Sequence, residues 1–393
     1  MPEAETMQGR SRSISECFAV LTDVRTGNHK LHKLHKLHDM LVIALCATIC
    51  GAESYYDFET FGQCREEWLK RFPGLELPNG IPSHDTFNRT FRSLDPGLFE
   101  CCFRTWIDDV RATMRREAPK ASPAPRREVV AVDGKALRSV PTKSGNVPYM
   151  VSAWASEQEL VIGQVRTDEK SNEITAIPQL LALLALEGCI VTVDAAGCQR
   201  RVVSAIRARG ADYVIGLKGN QPTMLDEVSL LFEDALRANP SAFRSHTTLD
   251  KQGGRTEERT CHQTDALGWF EDLPQWDGLR SVCRVRSVRT SGGVTSEEIR
   301  YYISSLPVDP AESLRAIRSH WGIENKLHWI LDVQFGEDGS RVRNADAAQN
   351  LNVIRKVAVD LLRRDRTTRH TFKKKRQIMM WKDEMLQHII IGR

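Results

Sequence analysis

The sequence predicts an α/β fold: a mixed five-stranded sheet with flanking helices, a β-rich insertion and a helical N-terminal domain. Three observations predict it. From residue 129 the apolar pattern reads strand, strand, strand, helix, strand, helix, strand. Two of those strands, VVAV (129–132) and CIVTV (189–193), run directly into an aspartate. Residues 246–305 then switch to alternating segments with glycine-pair turns, before a long helical pattern resumes.

Taken in chain order, residues 1–114 read as helical. MPEAETMQGRSRS has no apolar core and is not a secretory signal. MLVIALCATIC (40–50), the longest apolar run, is too short to span a bilayer and reads as a buried helix. Tyr55, Phe58, Phe61, Trp68 and Phe72 follow at helical spacing. GLELPNGIPSHD is a loop whose Ser83 or Asp85 caps the next helix. The tripeptide repeat KLHKLHKLH (30–38) spaces His29, His32, His35 and His38 by three, which spreads them around an α-helix. Repeat expansion explains them better than metal ligation. This region holds 16 Lys/Arg against 17 Asp/Glu through residue 120, so any nucleic-acid contact there is a local patch. RREAPKASPAPRRE (115–128) reads as a linker.

The first part of the core spans 129–245. PYMVSAWAS and ELVIGQVRT are its second and third strands. EITAIPQLLALLALEG is a helix with Pro178 in its first turn, QRRVVSAIRARG a helix stopped by Gly210, and DYVIGLKG the fifth strand. Residues 246–305 form hairpins, and 306–365 return to helix from Ser313 to the Phe335 region and again through NADAAQNLNVIRKVAVDLLRR. The last segment, 366–393, reads as a basic tail. RRDRTTRHTFKKKR (363–376) sets eight Lys/Arg against one Asp, which suits either a polyanion-facing block or a solvated end.

The chemistry rests on carboxylates. In SHWGIENKLHWILDVQFGED, Ile317, Leu331 and Phe335 fall within about 20° of Glu324 on a helical wheel. Glu324 is thereby expected on the packing face, where an unpaired carboxylate is costly. It is relieved by Arg318, Lys326 or His328, by a face turned to solvent, or by a cation opposite. Asp133 and Asp194 each suit a turn or cap singly, yet as neighbouring strand ends they repel unless a cation or proton intervenes. Three carboxylates without nearby His or Cys ligands suit Mg²⁺, with Mn²⁺ substituting. The matching reaction is two-metal phosphodiester chemistry, which needs no protein nucleophile. Consistently, the chain has no GxSxG, Walker A or HExxH motif, and its ten cysteines form no CxxC pair. They fit reduced thiols in a cytoplasm.

VDGKALR, DEKSNEITAIPQLL, VTVDAAGCQ, DYVIGLKGNQP and HWGIENKLHWILDVQFGED closely resemble the ISAs-type, H-repeat-associated insertion-sequence transposases of the DDE superfamily. LHDMLVIALCATICGAESYYDFETFG and LPNGIPSHDTFNRTFRSLDP resemble the domain that accompanies the catalytic domain there. The resemblance implies a ribonuclease H-like core, with Asp133, Asp194 and Glu324 as metal ligands 61 and 130 residues apart, Mg²⁺ as cofactor, and cleavage and strand transfer of DNA. It implies double-stranded DNA as partner, both terminal inverted repeats and target, and a homodimer or higher synaptic complex in the cytoplasm with no membrane association. The wider superfamily often places Tyr and Arg before this Glu and Lys seven residues after it; here those positions are Ile317, His320 and Leu331. His320 and His328 either take over phosphate duties or bond structurally. Lys135, Lys218, Asn220, Gln221 and Asn325 are expected to support ligands or contact DNA. Asp332, Glu337 and Asp338 are spare acids ranked below Glu324.

Overall fold

The computed structural model describes residues 12–23, 34–117, 126–140, 147–167 and 173–392. Residues 30–33 of the KLH repeat and 118–125 of the linker lie outside these. The described N-terminal region forms helices α1 (Ile14–Ala19), α2 (Leu37–Ile49), α3 (Tyr55–Cys64), α4 (Glu66–Leu69), α5 (His84–Ser93) and α6 (Pro96–Glu117). Helix α2 is buried along nearly its whole length, as its uninterrupted apolar run requires. Ser83, rather than Asp85, caps α5 by accepting from the Thr86 amide. His38, the last of the repeat, bonds Ser15 Oγ at 3.0 Å and sits 3.3 Å from Asp39, a structural role.

The core follows as β1 (Val129–Ala136), β2 (Tyr149–Ala155), β3 (Leu160–Thr167), α7 (Glu173–Ala182), β4 (Ile190–Val193), α8 (Arg200–Ala208), β5 (Asp212–Leu217) and α9 (Pro222–Ala238). Pro178 lies in the second turn of α7, not the first, so one backbone bond is forgone inside the helix. Helix α9 is not assigned by the sequence pattern. The strand order is β3-β2-β1-β4-β5, with β1, β4 and β5 parallel and β2 and β3 antiparallel. This is the ribonuclease H-like arrangement.

The insertion is not a separate layer. Strands β6 (Arg244–Gln252), β7 (Arg255–Thr264), β8 (Ser281–Ser291) and β9 (Val294–Ser304) form a meander, and β9 pairs antiparallel with β5. One nine-stranded sheet results. Tight turns at Gly253-Gly254 and Gly292-Gly293 carry positive φ, which two-residue hairpins demand.

Helix α10 (Pro310–Ile323) leads through a π-turn (Glu324–His328) into α11 (Trp329–Phe335), followed by α12 (Ala345–Arg364), α13 (Phe372–Trp381) and α14 (Asp383–Ile391). Helix α12 is buried from Ala347 to Leu362, packed between α2, α5 and α6 on one side and β3 on the other. Its Asn350 amide bonds Phe91 O at 2.9 Å and Leu94 O at 2.8 Å, tying the N-terminal helices to the sheet. Residues 372–391 are not a tail. Met379, Leu386, Ile389 and Ile390 are buried against α1, α2 and α12, each worth about 1.5–3 kcal/mol. The basic block is divided accordingly. Arg376 caps α2 through Ile49 O and Thr48 O, and Lys375 bonds Leu362 O, while Arg366, Arg369, Lys373 and Lys374 stay exposed.

Candidate active site

Strand alternation decides which side chains meet. In β1 and β4 the in-register pairs are Val129↔Ile190, Ala131↔Thr192 and Val132↔Val193. Asp133 and Asp194 are the next residues on adjacent parallel strands, about 4.8 Å apart at the backbone. Val129 and Ile190 pack with Leu314, Ala316 and Ile317, so this face looks at α10. Thr192 and Asp194 share that face, and Thr192 Oγ1 lies 3.0 Å from His320 Nδ1. Glu324 is four residues beyond His320, one helical turn further along toward Asp194. It lines a cleft of about 670 Å³ with Asp194, Lys218, His320 and Trp321.

The helix does not continue undisturbed there. The π-turn at Glu324–His328 inserts extra backbone, a feature that recurs at functional sites. Glu324 is therefore exposed to the cleft and not packed beneath it, while Ile323, Leu327 and Leu331 on either side are buried. The turn also brings His328 Nδ1 to 3.4 Å from Asp133 Oδ2. Burial lowers the His328 pKa to about 3, with Lys356, Lys135 and His320 adding to the effect. Burial also lowers His320, the Asp194 charge partly opposing it. Both imidazoles are neutral at physiological pH and serve as hydrogen-bonding groups, not as phosphate-binding cations.

Asp133 lies in an unfavourable electrostatic setting. Burial pushes its pKa from 3.8 up to about 7, and the charges of Glu173, Asp194 and Glu324 push in the same direction. Glu173, the first residue of α7, was not singled out from the sequence, because an acid at a helix start reads as an ordinary dipole partner.

Other expected residues fall elsewhere. Lys135 is held by carboxylates: its ammonium lies 2.6 Å from Asp332 and 2.9 Å from Asp338, and it also bonds Glu337. Those spare acids form the tightest carboxylate trio among the described residues, and this lysine's ammonium contacts all three. Asn220 and Gln221 turn inward to Ala195 O at 2.8 Å and Cys198 O at 2.9 Å, bracing the loop behind Asp194. Asp194 itself accepts from Gly197 N at 3.2 Å in that loop. Lys218 and Asn325 are exposed, Lys218 in the cleft and Asn325 in an adjoining hollow.

Residues 124–361 match the model of the family described as "Transposase DDE domain", and residues 15–107 match "DDE_Tnp_1-associated". The chain belongs to the DDE transposase family. It is 36% identical over 393 residues to "H repeat-associated putative transposase YhhI" of Escherichia coli K12, covering 97% of this chain and 98% of that protein. It is 37% identical over 378 residues to "Putative transposase YncI" of Escherichia coli O157:H7, covering 93% and 91% of the two chains. A cryo-EM structure of a piggyBac transposase synaptic complex with hairpin DNA aligns over 96% of this chain and 77% of that one, at a TM-score of 0.41 and 10% identity. At that distance no residue correspondence follows.

The site of this DDE-family chain suits a hard divalent cation. Its donors are carboxylate oxygens, and they stand further apart than the lysine-filled trio, as like charges do without a cation between them. A folded-state pKa raised from 3.8 to about 7 means the metal-free protein loses stability as pH rises through that window. Asp133→Asn is therefore expected to raise the melting temperature of the metal-free protein at pH 8 and to leave it nearly unchanged near pH 4. Mn²⁺ affinity of the wild type should weaken from pH 8 to pH 6, as protons compete. Equal melting of mutant and wild type at pH 8 would contradict the assigned environment.

Proposed function

We propose that the chain is the transposase of an insertion sequence. It hydrolyses phosphodiesters at the element's ends and joins the freed 3′-hydroxyls to target DNA. The observation that carries this is the pairing of Asp133 and Asp194 at the adjacent ends of parallel β1 and β4, with Glu324 opening onto the cleft that Asp194 lines. These three carboxylates would hold Mg²⁺ or Mn²⁺, which supplies activation of the attacking oxygen and stabilisation of the leaving one. Around them, neutral His320 and His328 fix Thr192 and face Asp133, Asn220 and Gln221 brace the Asp194 loop, and Lys218 offers a cation to phosphate.

The DNA path is supported by the insertion. Arg255, Arg259, Arg289, Arg300 and Arg318 line a hollow that shares Arg300 and Trp321 with the cleft. Glu257 and Glu298 within it, and Asp250 paired with Arg259 and Arg318, offset only part of that charge. Arg318→Ala is expected to weaken binding to any duplex and to reduce the log–log salt slope by about 1. An unchanged slope would remove this surface from the path.

The deciding experiment incubates the protein with DNA carrying the element's two ends and a target, with Mg²⁺ or Mn²⁺. Nicks at defined ends and joined products support transposition. Nicks without joining reduce the reading to a nuclease, and end binding without nicks reduces it to a DNA-binding remnant.

A further inference from the structure

We propose that the hollow between α3, α5 and the loop entering α12 is a phosphate site that grips the backbone of double-stranded DNA. The inference rests on the reading of the chain as one that handles DNA, and it names a surface apart from the cleft and the insertion.

The hollow encloses about 870 Å³ where the N-terminal helices meet the core. Residues from the first turns of α3 and α5 and the N-cap of α12 line it, so three positive helix ends border one space. Arg92 of α5 lines it from one side, and Arg341 and Arg343 of the loop after α11 from the other. Arg92, Arg341 and the half-buried Asn88 make no hydrogen bond or ion pair among the described residues.

Helix ends and surface arginines are at ease in water, so they do not by themselves make a site. Tyr55 does. It lines the same hollow at 9% exposure, and its hydroxyl is buried without a hydrogen-bond partner. Burial pushes the Tyr55 pKa up, while the charges of Arg355 and Arg92 oppose the rise, so both guanidiniums stand near that oxygen. Arg355 Nη2 is likewise buried and unpartnered. Bare polar groups of this kind are costly. A phosphate oxygen accepting from the Tyr55 hydroxyl, with Arg92 and Arg341 on the others, satisfies groups that the fold leaves open.

Carboxylates border the hollow too. Asp57 is spent on the start of α3, accepting from the Ser54 amide and hydroxyl, both at 2.9 Å. Glu53 lies against Gly336, and Asp85 sits 3.7 Å from His84 Nε2. None of them bonds Arg92, Arg341 or Arg343 among the described residues. The occupant is a DNA backbone and not a lone phosphate, because the charge continues outside the hollow. Arg89, exposed three residues before Arg92, extends it along α5. At the other side Arg343 bonds Ser139 O at 3.3 Å, three residues past the end of the strand that carries Asp133. A duplex held here therefore lies near the end of β1.

The test follows binding of the full chain to a random-sequence duplex about thirty base pairs long, by fluorescence anisotropy across a potassium chloride series. The proteins are wild type, Arg92→Gln/Arg341→Gln, Tyr55→Phe and, for the insertion, Arg318→Ala. The double variant is expected to bind about tenfold more weakly and to lower the log–log salt slope by about 2. Tyr55→Phe should weaken binding about threefold with the slope unchanged, since it removes a neutral donor. It should melt no lower than wild type, because an unpaired buried hydroxyl has gone. If the double variant does not fold, Arg341→Gln on the loop decides, with a slope lowered by about 1. Wild-type affinity and slope in the folded Arg92/Arg341 variants, while Arg318→Ala lowers both, would overturn this inference and leave the DNA reading standing. Inorganic phosphate that raises the melting temperature of wild type but not of a double variant with unchanged DNA binding would make the hollow a free-phosphate site and overturn the DNA assignment. A wild type that binds no duplex at all would remove the underlying reading, and this inference with it.

Discussion

Glu324→Gln is expected to lower metal-dependent end cleavage by about a thousandfold or more, since a lost cation forfeits several kcal/mol of transition-state stabilisation. DNA binding should stay within about twofold, because phosphate contacts by arginines dominate affinity. Glu324 is exposed on a helical π-turn and its carboxylate makes no hydrogen bond or ion pair among the described residues, so the variant should melt close to wild type. That combination separates a chemical role from a structural one. Cleavage within about tenfold of wild type would remove Glu324 from the metal set.

The reason Glu324 opens onto the cleft was only partly legible in the sequence. A wheel at about 100° per residue assumes an unbroken α-helix. It correctly groups Ile317, Leu331 and Phe335, which are buried, but assigns Glu324 to their face. The π-turn resets the phase between residues 324 and 328, and nothing in ENKLH announces it. Asp133 and Asp194 were legible because apolar β-formers ending in an acid are a local pattern. Their juxtaposition followed from parallel pairing. The burial of Glu173 was hidden because it lies against Gly134, 39 residues earlier, and meets it only through the fold.

The same limit explains the insertion and the C-terminus. The glycine-pair hairpins were local and readable, whereas the pairing of β9 with β5 joins strands about 90 residues apart and has no local signal. In residues 366–393 the density of Lys and Arg masked the spaced apolar residues Met379, Leu386, Ile389 and Ile390, which bury against the N-terminal helices. Lys135 and Lys218 look alike in sequence. One is drawn into a carboxylate trio some 200 residues downstream, and the other stays in the cleft.

That trio yields the largest expected effect on stability. Gly336, at φ +58°, ends α11 and turns the chain so that Glu337 N–H bonds back to Leu331 O at 3.0 Å. Glu337 is thereby brought inside, at 4% exposure, where it bonds Lys135 and the Asn352 amide. Its charge also supports the ionised forms of Arg355 and Lys356, both buried on α12. Burial lowers Lys356 to about 8 even so, and its ammonium is held by Ser152 Oγ at 2.7 Å and Gln164 Oε1 at 2.6 Å. Glu337→Gln keeps the shape and removes the anion from among three buried cations. Stripping one partner from a buried ionic group costs about 3–5 kcal/mol, and the remaining Asp332 and Asp338 favour the lower end. The melting temperature should fall by on the order of 5 °C. Mn²⁺ should stabilise the variant as much as it does the wild type, because Lys135 and not a metal occupies the trio. A variant that melts like wild type but no longer responds to Mn²⁺ would move the metal site to Asp332, Glu337 and Asp338. Ser152, which carries the Lys356 bond, sits opposite Asp133 in the β1–β2 register. Loss of the Glu337 anion should therefore be felt at β1 as reduced rigidity, with any cleavage falling in step with stability and not ahead of it.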